Sequence, residues 1–425
     1  MRSGTFVAAC GVAGVLWSGS AFAQGAGVGA GSHSEMQMSE PAEGWRLMQD
    51  GVVYLLFNQQ GSPRGGREFV APNWWMGMLT REKGRHQFGA NVMLSLDPAT
   101  VGRRGYREIF QIGEALDGRP LIDRQHPHDL FMQLAASWRT TFVSGATLTV
   151  AGGPVGEPTL GPVAFMHRAS ASGLPLAPLG HHTFDSTHIS YGVATASLGL
   201  GKWTAEGSVF NGREPDERRW NIDVGRMDSF AGRVWFRPTS TIELQASTGR
   251  LRDPEMLAPG DVHRTTVSAA WYVPHGEGFT AATVAYGMNA EHGERRHGMF
   301  GEITVQRAAN SISARAEFQQ VETNLLLTDE IPDGPHAGQP PRTIAAVTVG
   351  GARRVVTWRG YEGALAAEAV FYGVPDVLRP AYGAHPMSLQ VFFRLRLPAG
   401  MGRMTNMRMS DGPAMHAMSS GHVMR

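Results

Sequence analysis

Residues 387–397 read MSLQVFFRLRL, and the alternation in that stretch decides the fold. Met387, Leu389, Val391, Phe393, Leu395 and Leu397 fall on one face of an extended chain, and Ser388, Gln390, Arg394 and Arg396 on the other. Neighbouring side chains of a strand point to opposite faces, so period two marks a strand with one apolar and one polar face. Residues 201–210 repeat the pattern, with Trp203, Ala205 and Val209 opposite Lys202, Thr204, Glu206 and Ser208. Ile242, Leu244 and Ala246 oppose Glu243, Gln245 and Ser247; Ile312, Ala314, Ala316 and Phe318 oppose Ser313, Arg315, Glu317 and Gln319. Strand character extends to 72–81, 85–96, 105–112, 130–142, 145–153, 185–199, 225–237, 262–273, 279–288, 298–307, 341–350 and 361–373. The expectation is about 16 strands (14 to 18) between 72 and 397, with 51–58 (GVVYLLFN) a further candidate.

The links between strands alternate as well. Short ones are expected at 199–201, 238–240, 274–278, 308–310 and 351–355, and longer polar ones at 211–224, 252–261, 289–297, 323–340 and 374–386. Short turns at one end and long loops at the other are the pattern of a transmembrane barrel with periplasmic turns and extracellular loops. The polar face carries Lys202, Glu206, Arg233, Glu243, Arg315, Glu317, Glu368, Arg394 and Arg396. A soluble barrel of this size would fill its interior with apolar side chains. These charges are therefore expected to face a lumen, and the apolar face to meet lipid. Trp74, Trp75, Trp203, Trp235, Trp271 and Tyr272, near strand ends, suit aromatic girdles. The fold expected is all-β, a closed antiparallel transmembrane β-barrel. The competing architecture is a soluble two-sheet protein with a solvated outer face.

The N-terminus supports the barrel. Arg2, the apolar run 5–17 and Ala21-Phe22-Ala23 form a secretory signal peptide cleaved before Gln24. Val7-Ala8-Ala9-Cys10 resembles a lipobox, but the apolar run continues past it. Cys10 is the chain's one cysteine, so the mature protein holds no disulfide and no thiolate metal site. The 425 residues carry 38 Lys+Arg against 37 Asp+Glu, which gives no electrostatic basis for a nucleic-acid partner. The organisation expected is a signal peptide over 1–23, a periplasmic segment over 24–50, a barrel over 51–397 and a periplasmic tail over 398–425 in the bacterial outer membrane.

Over 72–397 the chain resembles the porin-like outer-membrane barrels of Gram-negative bacteria, as architecture rather than by a motif. The resemblance implies outer-membrane lipid and the barrel-assembly machinery as partners. Such barrels commonly end on an aromatic that this machinery reads. Here 28 residues follow Leu397, and the role would fall to Phe392 or Phe393.

Three clusters have ligand chemistry. The tail holds Met401, Met404, Met407, Met409, Met415, His416, Met418, His422 and Met424 among Gly, Ser, Arg and Pro. Neutral soft thioethers suit Cu(I) or Ag(I), and imidazole adds capacity for Cu(II). Residues 33–38 (HSEMQM) echo it. Met- and His-rich segments beside a barrel resemble, in composition, the copper-resistance B type. That implies periplasmic metal-handling partners, with no tightly bound cofactor expected. The second cluster is Asp123 to Asp129 (DRQHPHD), where His126 and His128 with Asp123 or Asp129 could hold a divalent cation, or simply pack the loop. The third lies in the longest link, 154–184, and the strand start after it: Glu157, His167, His181, His182, Asp185 and His188. Such a link in a barrel can fold inward and constrict the pore, where it would meet His126 and His128 as a metal site or a histidine-lined constriction. Residues 211–223 (NGREPDERRWNID) read as an extracellular loop braced by ion pairs.

Three functions are in play. The first is a porin-like or efflux-associated transport protein linked to copper or heavy-metal handling. The second is a barrel enzyme of the lipid-hydrolase type, for which Ser186 near Asp185 and His188 lacks a nucleophile-elbow signature. The third is a closed structural or sensing barrel, if the lumen charges pair off.

Overall fold

The computed structural model describes residues 44–257, 259–328 and 340–398. Sixteen strands form the wall. The first four are β1 (Arg46–Gln60), β2 (Gly66–Val70 and Asn73–Lys83), β3 (His86–Leu94) and β4 (Phe131–Thr141). β5 (Thr147–Gly156), β6 (Ser190–Leu200), β7 (Trp203–Phe210) and β8 (Ser229–Phe236) follow. Then come β9 (Ile242–Leu251), β10 (Val262–His275), β11 (Gly278–Glu291) and β12 (Glu294–Arg307). The last are β13 (Asn310–Val321), β14 (Arg342–Trp358), β15 (Tyr361–Gly373) and β16 (Met387–Arg396). β2 counts as one strand because both pieces pair with β1, at Gln60↔Gly66 and at Val53↔Asn73. The break falls at Pro72, which has no N–H for the ladder. Every neighbour is antiparallel, and β1 closes on β16 from Val52↔Arg396 to Gln59↔Leu389. Closure leaves no unpaired edge for lipid to meet.

The alternation resolves as the sequence implies. Outward residues are apolar and exposed: Leu198 61%, Phe230 54%, Ile312 71% and Leu365 57%. Inward Glu206, Arg233, Arg315, Glu317, Glu368 and Arg394 are buried, and Glu243 and Arg396 share that face half-buried. This inside-out polarity is what a lipid-facing wall requires. Lys202 is a correction: it sits exposed in the two-residue turn 201–202 and donates to the Pro238 carbonyl. Trp235 is another, because it points inward and its indole N–H donates to Glu206 at 2.7 Å.

The strand count holds for compensating reasons. Residues 51–58 belong to the wall, so the barrel begins at Arg46, inside the span assigned to the periplasmic segment. Residues 105–112 leave it: Tyr106–Arg107 pairs only with Arg124–Gln125. The expected long link 289–297 is a turn at 292–293 that joins 14-residue strands. The turn expected at 351–355 lies at 359–360 because β14 runs to Trp358. All long links still fall at one end, and the barrel's first and last strands meet the other.

Two long links fill the interior, 95–130 between β3 and β4 and 157–189 between β5 and β6. Ile109, Phe110 and Leu179 from these links pack with Val321, Leu326, Ile344, Tyr372, Leu378 and Tyr382. Polar anchors tie the second link to the wall. Ser170 bonds Thr283 at 2.7 Å, Arg394 and Arg396 donate to the Ser172 carbonyl, and the Leu179 N–H donates to Glu317 at 2.7 Å. Gly161, at φ 87°, lets the link turn where a Cβ would lie 2.2 Å from the Phe184 carbonyl oxygen.

Candidate functional site

The seat of the inward link is Arg168, which is 2% exposed. Its guanidinium donates to Glu302 on β12 at 2.7 Å, to Asp185 at 2.8 Å and to the Val163 carbonyl at 2.8 Å. Glu302 also accepts from Arg315 at 3.0 Å. Buried charge is tolerated only when paired and bonded, and each partner here has at least two contacts. Asp185 is the hinge between this network and the imidazoles. It accepts from the Phe165 N–H at 2.9 Å and from His181 Nδ1 at 2.8 Å. Burial alone would raise its carboxyl, but Arg168 and His181 hold it well below the usual carboxylate range.

Around this hinge the two links bring five histidines together. Ring centroids lie 5.4 Å apart for His181–His182, 5.3 Å for His181–His188 and 5.7 Å for His128–His188. His126 lies 6.4 Å from both His181 and His182. Each ring is fixed through Nδ1: His128 on Asp97 at 2.8 Å, His181 on Asp185, His182 on Glu214 at 3.1 Å, His188 on the Asp185 carbonyl at 2.8 Å and His126 on the Pro127 carbonyl at 3.0 Å. Those acceptors place a proton on Nδ1 of each ring, the kind of contact that orients metal-ligating histidines. The Nε2 of His188 is buried with no hydrogen-bond partner. Burial lowers His181 against the opposing pull of Asp185. Burial, with His181 and His128 beside it, pushes His188 well below its usual value. Both shifts disfavour the imidazolium form. Among the described residues no three His, Cys, Asp or Glu groups close around one point as a metal cage.

The carboxylates expected beside His126 and His128 are elsewhere. Asp123 accepts from Arg64, from Tyr382 at 3.0 Å and from the Phe110 N–H at 2.8 Å. Asp129 pairs with Arg219 at 3.2 Å. Asp97, Asp185 and Glu214 take their place; of these only Asp185 was legible as a candidate. Glu157 faces Arg233 at 3.7 Å, and the His167 ring lies 5.2 Å from that of Trp74. The 211–223 loop does carry ion pairs, and one of its carboxylates, Glu214, holds His182. The tail set, Met401 to Met424 with His416 and His422, and residues 33–38 lie outside the described residues.

Two cavities flank the cluster. The outer one, about 1120 Å³ with the solvent at its mouth, reaches His182 and is lined by Glu214, Glu255, Glu291, Glu322, Arg264 and Arg296. The inner one, about 780 Å³ on the same measure, reaches His128 and is lined by Asp50, Tyr54, Trp74, Arg168 and Arg396. Gly113 (φ 114°) permits the approach of the 95–130 link to His182, whose ring a Cβ there would meet at 2.9 Å.

No family model matches the chain, and no curated protein matches its sequence. Solved structures match its shape. OprB of Pseudomonas putida, in its high-pH form, aligns at TM-score 0.51 and 10% identity over 83% of this chain and 94% of that one. A loop-deletion mutant of OmpT, an outer membrane protein of Vibrio cholerae, gives 0.49 and 8% over 83% and 99%. An anion-selective porin from Comamonas acidovorans gives 0.44 and 10% over 83% and 100%. The fold is the porin-like barrel of the outer membrane, and the exposed apolar band of the wall places it in lipid.

Proposed function

We propose that this outer-membrane barrel is a selective conduit whose lumen is narrowed by its own 157–189 link, and that it serves copper or heavy-metal handling. The observation that carries the reading is the buried Arg168–Asp185–Glu302 network, which seats the link across the lumen with imidazoles along it. β16 ends where the short turns lie, and the Met- and His-rich tail follows it in sequence. It would offer Cu(I) or Ag(I) to periplasmic metal-handling proteins, since thioether prefers these soft ions.

A second reading has one observation in its favour. Lumen charges pair, as in Arg233–Glu206 at 2.7 Å and Arg315–Glu302 at 3.0 Å, which suits a closed structural or sensing barrel. A lipid hydrolase finds less support. The Ser186 hydroxyl accepts from Arg264 at 3.1 Å, and His188 turns its Nδ1 to the Asp185 main chain, so no nucleophile–base–orienter chain links them. The test is single-channel conductance of the full chain in planar bilayers. Discrete openings are expected; silence in both the wild type and an Arg168→Ala variant would leave the closed barrel.

A further inference from the structure

We infer that His182, His181, His188 and His128 form a row of stations that passes a borderline divalent cation, of the Cu(II), Zn(II) or Ni(II) class, between the two cavities. The inference rests on the conduit reading and names its substrate class. Four features of the structure converge on it.

The first is continuity. The row runs in steps of 5.4, 5.3 and 5.7 Å. Its first member lines the outer cavity and its last lines the inner one. The inner cavity reaches Arg396, the last residue of the closing strand, so the row crosses the plug from the long-link side toward the short-turn side.

The second is spacing. A metal–imidazole bond is about 2.0–2.1 Å, and the ring centre lies roughly 1.1 Å beyond the nitrogen. Two imidazoles on one ion at a tetrahedral angle then put their ring centres about 5 Å apart. The steps of 5.4, 5.3 and 5.7 Å exceed that figure by less than 1 Å, a separation that a small ring movement would bring to a shared ion.

The third is preparation. Every ring in the row is held at Nδ1, so Nε2 is the nitrogen turned from that anchor, and the buried Nε2 of His188 has no hydrogen-bond partner. If packing were the only role, burying the His188 Nε2 without a partner would be a cost with no return. Imidazole suits Cu, Zn and Ni, whereas Mg²⁺ and Ca²⁺ want oxygen ligands, so the row discriminates by ligand type.

The fourth is charge and looseness. Four carboxylates against two guanidiniums line the outer cavity, which concentrates cations at its mouth. The inner cavity has Asp50 with Arg168 and Arg396 and does not retain them. The row offers an ion pairs of imidazoles rather than a set of three or more. Conduction requires binding of this kind, firm enough to admit and weak enough to release.

The experiment reconstitutes the full chain in liposomes that entrap a Zn²⁺-sensitive fluorophore and measures Zn²⁺ influx against K⁺ conductance. Wild type, His188→Gln, His128→Gln and a His263→Gln control, an exposed histidine off the row, are compared after a check for heat-modifiable migration. The Zn²⁺/K⁺ ratio should fall at least tenfold in the two row variants and hold in the control. Electron paramagnetic resonance of Cu²⁺-loaded protein should show nitrogen ligation that His188→Gln diminishes; the tail's ligands are common to all variants and cancel. An unchanged ratio in both row variants, or Zn²⁺ influx no faster than Ca²⁺, overturns the relay while K⁺ conductance keeps the conduit. A wild type that passes neither K⁺ nor Zn²⁺ overturns both.

Discussion

Replacing Arg168 by alanine should unseat the inward link while leaving the wall intact. The side chain joins Asp185 and the Val163 carbonyl on the link to Glu302 on β12, and its guanidinium lies 4.7 Å from the Phe300 ring centre. Breaking a buried ion pair by removing one partner costs about 3–5 kcal/mol. The low end applies, because each orphaned carboxylate retains a partner: Glu302 keeps Arg315, and Asp185 keeps His181. The lost cation–π contact restores part of that discount, at up to roughly 2 kcal/mol. The total is at least about 3 kcal/mol, which at 1.4 kcal/mol per decade shifts the seated-to-lifted equilibrium by at least about a hundredfold. The wall should be indifferent, since its sixteen strands are held by main-chain pairing that ends on β1 and β16. The assay is single-channel recording beside heat-modifiable migration: a higher open fraction or larger unitary conductance, with migration unchanged. Arg168→Lys should fall between, because an ammonium cannot meet all three acceptors in the planar geometry of the guanidinium. A folded Arg168→Ala barrel with wild-type open fraction and conductance would refute the idea that this network closes the lumen.

Deletion of residues 400–425 should leave the barrel assembling, abolish Cu(I) binding and render cells copper-sensitive; unchanged binding and tolerance would remove the copper assignment. Glu255, on the outer cavity, is pushed up to about 7 by burial, with Glu214 and Glu291 adding to the rise. It is neutral below that pH and charged above it, so cation preference, read from reversal potentials in a KCl gradient, should rise from pH 6 to 8, and Glu255→Gln should flatten the rise. Gly113→Val puts a Cβ 2.9 Å from the His182 ring at a φ that disfavours side chains, so it should cut metal influx several-fold with assembly intact; wild-type influx would separate His182 from the path. A tag inserted near residue 330, between β13 and β14, should be reachable from outside intact cells and one after residue 410 should not; the reverse would invert the barrel.

The wall was legible because its signal is local. A strand with lipid on one side and a polar lumen on the other writes its environment into every second residue, as in 387–397. The two misplaced strands fail where that environment changes. β1 reads as nearly continuous apolar sequence because its inner face meets the plug rather than water: Leu56 is fully buried with Phe392 of the wall and Leu176 of the inward link. Residues 105–112 alternate like a strand, but Tyr106, Ile109 and Phe110 are buried inside the barrel, two of them in its largest apolar cluster. Alternation reports which faces differ, not whether the segment is wall or filling.

The candidate site shows the same limit from the other side. The histidines were legible as residue types at suggestive spacing, yet their meeting depends on two links that approach from different gaps in the wall, with more than fifty residues between His126 and His181. Their supporting groups were harder still. Asp97 opens a short helix and looks like turn chemistry, Glu214 sits in a loop dense with both signs, and Glu302 is one more charge on an alternating strand. What separates Glu302 from Glu206 is an added partner: an arginine from the plug beside one from the wall. Part of the polar inner face is therefore a docking face, and some of the charges that mark this chain as a barrel are also those that anchor its plug.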